Sequence, residues 1–102
     1  MSPLKITSQN FEQEVLKSDK KVLIDFYADW CGPCRMLSPV IEEIAEEMPE
    51  IKVCKINVDE EPQLAVQFKA MTIPMLVVMD QGKVVTTSVG AKPKAAVKKL
   101  LA

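Results

Sequence analysis

The sequence predicts an α/β fold in which helices cover both faces of a mixed sheet. Apolar runs of strand character alternate with segments of helical periodicity over most of the chain. Two more strand-like runs then follow one another across the short turn Gln81-Gly82, before a last helical segment. The strand-helix-strand-helix-strand order implies parallel pairing through crossovers, whereas the short turn implies an antiparallel pair.

The first elements are predicted from apolar spacing. A strand spans about 4–7, and the next helix starts near Asn10 with Phe11, Val15 and Leu16 facing inward. The strands at 21–27 and 51–58 are nearly continuous in apolar residues, which is typical of strands buried on both faces. Between them, apolar residues recur at spacings of three and four from Pro33 to Met48, which predicts a long helix.

The remaining elements are shorter. Pro62 fits the first turn of a helix that buries Leu64, Ala65 and Phe68. Strands at 75–80 and 83–89 form the antiparallel hairpin, and a helix from about Pro93 buries Val97, Leu100 and Leu101. Pro39 lies inside the long helix, where a missing backbone hydrogen bond predicts a kink.

Composition predicts one soluble domain over residues 1–102. Of the 102 residues 48% are hydrophobic and 26% charged, and no linker, repeat or low-complexity tract divides them. The net charge of −1 argues against nucleic acid or an anionic membrane as the main partner. Because there is neither a signal-peptide pattern nor a stretch of ~18 apolar residues, we expect a cytoplasmic protein without membrane segments.

Two cysteines lie three residues apart in Trp30-Cys31-Gly32-Pro33-Cys34, where a buried strand is predicted to lead into a helix. Residues at this spacing lie on the same side of a helix, so the thiols can close a disulfide ring or remain together as a dithiol. In a reducing cytosol such a pair is more often redox-active or metal-binding than structural.

The two cysteines are expected to play different parts in thiol-disulfide exchange. Cys31 precedes the helix, where unpaired N–H groups and the helix dipole favour a thiolate, whereas Cys34 lies one turn further in and should be buried. Cys31 is therefore the predicted exposed nucleophile and Cys34 the residue that resolves the mixed disulfide. Gly32 is expected to give the turn freedom and allow close approach, and Pro33 to fix the first helical dihedral.

A zinc site is the alternative use of such a motif. A structural zinc site needs four ligands, usually nitrogen or sulfur, whereas the chain has three cysteines and no histidine. An internal site would need Cys54 and a carboxylate as well, so no metal is expected. Cys54 itself lies in an apolar strand, which favours a core role over regulatory oxidation.

The segment from Asp25 to Cys34 resembles the active-site segment of the thioredoxin family almost position for position. Further markers follow in the family's order: Pro39 at the helix kink, 55–59 at the central strand, Thr72-Ile73-Pro74 at the cis-proline loop, and Val89-Gly90-Ala91 at the late glycine loop. The resemblance covers essentially the whole chain. It implies the thioredoxin fold, a central mixed five-stranded sheet flanked by four helices on both faces.

The resemblance gives Asp25 and Lys55 expected roles. Asp25 interrupts an apolar strand, where a carboxylate is costly to bury unless it is partnered or protonated. In the family a buried aspartate at this position relays a proton to or from the inner cysteine, and burial is expected to raise its pKa. Lys55 matches the family's lysine near that aspartate and would modulate it. Structural hydrogen bonds to Asp25 and a solvated Lys55 head are the alternatives.

The resemblance also implies a substrate-binding surface. In the family the peptide bond that corresponds to Ile73-Pro74 is cis, and the backbone before the proline pairs with an extended substrate segment. The implied substrate-binding residues are Trp30, Ile73, Pro74, Gly90 and Ala91. The chain departs from the common pattern at Tyr27, where many members carry a second tryptophan, and at Met75, where threonine is common.

The function implied by the resemblance is protein-disulfide reduction. The chain would carry electrons from a thioredoxin reductase to disulfide-containing client proteins, as a monomer whose redox group is the Cys31/Cys34 pair and which binds no cofactor. Relatives that mainly oxidise or isomerise disulfides usually carry a histidine between the cysteines, so Gly32-Pro33 favours reduction. An isomerase or oxidant, and a binding subunit without redox turnover, are the alternatives.

Overall fold

A five-stranded mixed sheet forms the centre of the computed structural model, which describes residues 2–102. Its strands are β1 (Leu4–Lys5), β2 (Lys21–Tyr27), β3 (Ile51–Asn57), β4 (Met75–Asp80) and β5 (Lys83–Val89), in the order β1-β3-β2-β4-β5. The pairs β1/β3 and β3/β2 are parallel, whereas β4 is antiparallel to β2 and β5. The predicted mixed sheet is confirmed. Met1, where the predicted domain begins, lies outside the described residues.

Four helical segments pack on this sheet. They are a π-helical turn at Glu12–Leu16 and the α-helices α1 (Gly32–Glu47), α2 (Pro62–Gln67) and α3 (Lys94–Leu100). Helix α1 is continuous across Pro39, and the kink expected there stays a prediction. Over residues 2–102, no helix combines the length and apolarity needed to cross a membrane.

The two faces of the sheet bury separate apolar cores, because successive side chains of a strand point to opposite faces. Val22, Ile24 and Phe26 of β2 pack with residues of the π-helical turn and α2. Leu23 points the other way and packs with α1 and α3. Helices therefore cover both faces, as the sequence predicts.

One inward-facing prediction is wrong. Phe11 and Val15 are buried, but Leu16 is 39% exposed. Phe11 and Val15 are four residues apart and already occupy the face toward the sheet. Leu16 follows Val15 directly and so turns to the side of the helical segment.

Because side chains alternate along β2, some of its polar residues point to the face of the sheet that α1 covers. Asp25 lies two residues beyond Leu23 on that face and is only 5% exposed. In the parallel register with β3, Asp25 lies opposite Lys55, and Tyr27 lies opposite Asn57. A polar patch therefore follows the apolar core toward the carboxyl ends of β2 and β3, where α1 begins.

Ion pairs join the far end of α1 to α3. Lys94 Nζ lies 2.9 Å from Glu43 Oε1 and 2.6 Å from Glu47 Oε2, and Lys98 Nζ lies 2.7 Å from Glu47 Oε1. Hydrogen bonds from the two lysines lower the pKa of Glu47 to about 2. Glu47 is thus the shared acceptor that connects the C-terminal helix to α1.

Replacement of this acceptor should lower stability at neutral pH more than in acid. A carboxyl group whose pKa is lowered on folding stabilises the fold above its unfolded pKa, near 4.5, and the effect disappears as pH falls toward 2. We expect Glu47→Gln to lower the urea midpoint at pH 7 by roughly 0.2 to 0.5 M, since exposed ion pairs contribute little. At pH 2, where Glu47 is about half protonated in the folded state, most of this difference should be lost.

Glu50→Gln is the matched control, because Glu50 is exposed and makes no ion pair with residues 2–102. This control should leave the midpoint unchanged at both pH values. A loss of stability in Glu47→Gln that is equal at pH 7 and pH 2 would contradict an ionic role for Glu47.

Candidate active site

The site is built where β2 leads into α1. Cys31 and Cys34 are joined in a disulfide with their Cα atoms 5.2 Å apart. Cys31 occupies the N-cap of α1 in an extended conformation, and its Sγ accepts a hydrogen bond of 3.2 Å from the Cys34 N–H. Because unpaired N–H groups and the helix dipole converge on this position, negative charge on Cys31 Sγ is favoured.

Two local expectations for this segment are wrong in the disulfide form. Cys31 is only 5% exposed, close to the 4% of Cys34, because it packs with Ala28 and Ile73. Gly32 does not have a positive φ, and a Cβ placed there would meet no atom within 4 Å. Glycine is therefore not required here by a positive φ or by close packing against residues 2–102. Pro33 lies in the first turn of α1, as predicted.

The loop before β4 packs against the outer sulfur. The Ile73-Pro74 peptide bond is cis, and the Ile73 carbonyl oxygen lies 3.9 Å from Cys31 Sγ. Gly90 donates a hydrogen bond of 2.8 Å to the Pro74 carbonyl and has a φ of 97°, a conformation that favours glycine. These contacts bring Ile73, Pro74 and Gly90 together beside Cys31, and Ala91 follows as an exposed residue.

Trp30 directly precedes Cys31 in the chain and is 69% exposed. Its Nε1–H donates a hydrogen bond of 2.8 Å to Asp59 Oδ2. The loop that carries Asp59 is held by the buried Asn57, whose Oδ1 accepts from the Asp59 N–H at 2.9 Å and the Glu60 N–H at 3.2 Å. Sequence reasoning missed the roles of Asp59 and Asn57. The spacing Asn57-Val58-Asp59 after a strand is typical of an Asx turn and was the available signal.

A pocket of about 260 Å³ connects the inner cysteine with the buried carboxyl group. It lies between α1 and the carboxyl ends of β2 and β3. Its lining residues are Asp25, Tyr27, Ala28, Asp29, Cys34, Arg35, Ser38 and Lys55. Asp25 and Cys34 thus share one small space with an opening, through which a proton can be exchanged between them or with solvent.

Asp25 lacks the hydrogen bonds that would hold a purely structural carboxylate. Its Oδ1 is buried and has no hydrogen-bond partner in residues 2–102. Burial raises the pKa of Asp25 to about 7, and the nearby charge of Lys55 partly opposes this rise. A carboxyl group that changes charge close to neutral pH is suited to accept and return a proton.

Lys55 projects from β3 beside this pocket. Its Nζ lies 6.0 Å from the centroid of the Tyr27 ring, and no carboxylate of residues 2–102 forms an ion pair with it. Its charge reaches Asp25 across the pocket and lowers the pKa of that carboxyl group. The modulation of Asp25 by Lys55 that the resemblance implies stays a prediction.

Cys54 is separate from this chemistry. Its side chain is fully buried, and burial raises the pKa of its thiol to about 12. Such a thiol is neither exposed nor readily ionised, which fits a core residue. Within the described part of the chain, no three His, Cys, Asp or Glu side chains are grouped so that they could hold a metal ion.

Comparison with known proteins gives a consistent result. The thioredoxin family model matches residues 2–102. A thioredoxin of Streptomyces clavuligerus is 50% identical over 89% of this chain and 85% of its own length. A thioredoxin of Bacillus subtilis is 47% identical over 99% of this chain and 96% of its own.

A solved structure agrees with these sequence comparisons. A mutant thioredoxin from Halobacterium salinarum superimposes with a TM-score of 0.89 at 41% identity, and the match covers 97% of this chain and 87% of that one. The sheet order, the disulfide at the start of α1 and these matches lead to one conclusion. The chain belongs to the thioredoxin family of thiol-disulfide oxidoreductases, which reduce protein disulfides and use the active-site pair, here Cys31 and Cys34, as redox group without a bound cofactor.

Proposed function

We propose that the protein accepts electrons from a thioredoxin reductase and passes them to disulfide-containing client proteins, as a cytoplasmic monomer. The position of Cys31 Sγ is the observation that carries this proposal. The sulfur lies at the N-terminus of α1, 3.9 Å from the Ile73 carbonyl oxygen. A client protein that reaches the attacking sulfur would therefore also meet the backbone of Ile73.

The backbone of Ile73 is suited to bind an extended substrate segment. Its N–H donates no hydrogen bond to any of residues 2–102, and its carbonyl meets only Cys31 Sγ. An unpaired N–H and C=O beside the reacting sulfur can pair with a client chain as a neighbouring strand would. In this proposal Trp30, Pro74, Gly90 and Ala91 contact client side chains. Recognition through backbone groups explains how one site serves clients of different sequence.

The reduced protein begins the reaction by nucleophilic attack. The Cys31 thiolate attacks one sulfur of the client disulfide, a bond forms between Cys31 and that sulfur, and the other client sulfur leaves as a thiolate that takes up a proton. The N–H groups at the start of α1 stabilise the attacking anion. This step produces a mixed disulfide between the protein and its client.

The second step requires Cys34 to lose its proton. The Asp25 carboxylate accepts this proton within the shared pocket, and the Cys34 thiolate then attacks Cys31 Sγ. The Cys31/Cys34 disulfide forms, and the second client sulfur leaves as a thiolate and is protonated. Two electrons and two protons have then passed to the client, and the protein is left in the disulfide form that the structure shows.

The residues between the cysteines favour reduction over oxidation or isomerisation of clients. The chain has no histidine, so no imidazolium stabilises the Cys31 thiolate from within the motif. Stabilisation of the reduced form is what makes a disulfide strongly oxidising. With Gly32 and Pro33 in place of a histidine, the disulfide form is less readily reduced and the dithiol is the better donor.

The assignment of the two cysteines predicts which variant traps clients. In Cys34→Ser the mixed disulfide forms but cannot be resolved, so we expect it to accumulate with a model disulfide protein such as insulin. In Cys31→Ser the first step is lost, and less than about one tenth of that adduct should form. The adducts are measured by non-reducing electrophoresis and intact mass spectrometry.

Cys54→Ser is the matched control, since Cys54 is a buried free thiol outside the site. It should reduce insulin at the wild-type rate and form no adduct. Accumulation of adducts with Cys31→Ser rather than Cys34→Ser would contradict the assigned roles. Full biological activity of a Cys31→Ser/Cys34→Ser variant would instead indicate a binding subunit.

The raised pKa of Asp25 predicts a pH-dependent stability. Because folding raises the pKa from 3.8 to about 7, the folded state loses stability as pH rises through this range, whereas below 3.8 the group is protonated in both states. Asp25→Asn, which is neutral throughout, should therefore match the wild type near pH 3 and be more stable at pH 8 by about 4 kcal/mol. Denaturant titrations at the two pH values give this difference.

The same variant tests the proposed proton transfer. Asp25→Asn should slow the resolution of a purified mixed disulfide by at least about tenfold near pH 7, since a positioned base typically contributes more than that. It should also remove the inflection near pH 7 from the rate profile. An unchanged rate in a folded Asp25→Asn protein would show that Asp25 does not carry the proton.

A further inference from the structure

Tyr27 makes a contact that the reaction steps above do not use. Its ring lies in the polar patch on the α1 face of the sheet, two residues after Asp25 on β2. The Lys55 Nζ lies 6.0 Å from the ring centroid, at the outer range of a cation–π interaction. Asp25, Tyr27 and Lys55 all line the pocket that contains Cys34.

The Tyr27 ring is a described contact of the Lys55 ammonium. Lysine carries its charge on a flexible four-carbon stem, so the position of the ammonium depends on what holds it. No hydrogen bond or ion pair joins Lys55 Nζ to any of residues 2–102. Without an aromatic face at position 27, the ammonium would be free to move outward into water.

Several other charged groups lie around Tyr27, Lys55 and the pocket. Asp29 lines the pocket, and Glu42, Glu43 and Glu46 of α1 line a second cavity together with Lys55. Lys5 of β1 pairs with Glu60 at 2.8 Å, and Arg35 of α1 donates to the Asp29 carbonyl at 3.1 Å. Asn57 of β3 accepts hydrogen bonds from the loop after it. Cys34 is buried in the disulfide. Among these charged groups, Lys55 is the cation that lies over the Tyr27 ring.

We propose that Tyr27 is a positioning residue whose ring face holds the Lys55 ammonium beside the Asp25 pocket and thereby sets the pH range over which Asp25 takes up and releases its proton. The ring itself adds no charge near neutral pH, because burial raises the pKa of the Tyr27 phenol above its ordinary value. Any effect of Tyr27 on Asp25 through this contact must therefore pass through Lys55.

The aromatic face, and not the hydroxyl group, is the required feature. Phenylalanine and tryptophan also offer a negative ring face to a cation, whereas leucine and methionine are apolar side chains without one. Loss of the ring lets Lys55 move away, the carboxylate of Asp25 loses part of its stabilisation, and its titration midpoint rises. Because this effect passes through the cation–π contact, the ordinary strength of such a contact limits the rise to about 0.3 to 0.7 pH unit.

The test is a carbon-13 NMR titration of the Asp25 carboxyl group in the oxidised full-length protein. We expect Tyr27→Leu to raise the midpoint by about 0.3 to 0.7 pH unit, and Tyr27→Phe and Tyr27→Trp to keep it within about 0.2 pH unit of wild type. Tyr27→Met is a second ringless variant and replaces Tyr27→Leu in the comparison if the leucine protein does not fold.

A double-mutant cycle separates the lysine from simple changes in burial. Lys55→Gln alone should raise the Asp25 midpoint by at least as much as Tyr27→Leu, and the two changes together should raise it no further than Lys55→Gln alone. If the ringless variants shift the midpoint equally in the Lys55→Gln background, Tyr27 acts by excluding water and the proposal is wrong. An unchanged Asp25 midpoint in the ringless variants also overturns the proposal. So does a midpoint shift in Tyr27→Phe as large as that in Tyr27→Leu.

The kinetic consequence rests on the proposed proton transfer by Asp25, and the two hypotheses can fail separately. In Tyr27→Leu the pH profile for resolution of the mixed disulfide should move to higher pH by the same amount as the NMR midpoint. A midpoint that moves while the rate profile does not would leave the positioning by Tyr27 intact and overturn the proton transfer. An unshifted midpoint would overturn the positioning alone.

Discussion

The site depends on the alternation of side chains along β2, the strand at the centre of the sheet. Every second residue must point to the opposite face, so the strand can bury two cores only if both sets are apolar. Asp25 breaks that rule on the α1 face, two residues beyond Leu23. Because α1 starts just past the end of the same strand, the carboxyl group and the disulfide are fixed relative to each other by the fold.

Burial of this carboxyl group opposes stability and provides reactivity at the same time. A carboxylate without a hydrogen-bond partner is costly inside a protein, and that cost is what brings its pKa to the range in which Cys34 must lose a proton. The charge of Lys55 lowers the cost of burying a charged Asp25 but does not remove it. Among residues 2–102, Lys55 lies close enough to no carboxylate to form an ion pair. An ion pair would have locked Asp25 in its charged form.

Local patterns predicted the elements and the redox motif but not the long-range side-chain contacts. Apolar periodicity gave the strands and helices, while the cis peptide bond at Pro74 followed only from resemblance to a family. The errors concern local detail: Leu16 is half-exposed, and Cys31 is covered by Ile73 from a distant loop. The contacts of Trp30 with Asp59 and of Tyr27 with Lys55 join different elements, so no spacing in the sequence reveals them.

The midpoint potential of the Cys31/Cys34 pair tests most directly whether the protein is a reductant. It is measured by equilibration with dithiothreitol buffers at pH 7 and alkylation of the free thiols, with Cys54→Ser to remove the third cysteine. A reductant of client disulfides should have a value more negative than about −220 mV, the upper end of the cytosolic glutathione poise from biochemical extraction. A value near −120 mV, as in strong disulfide oxidants, would contradict this role.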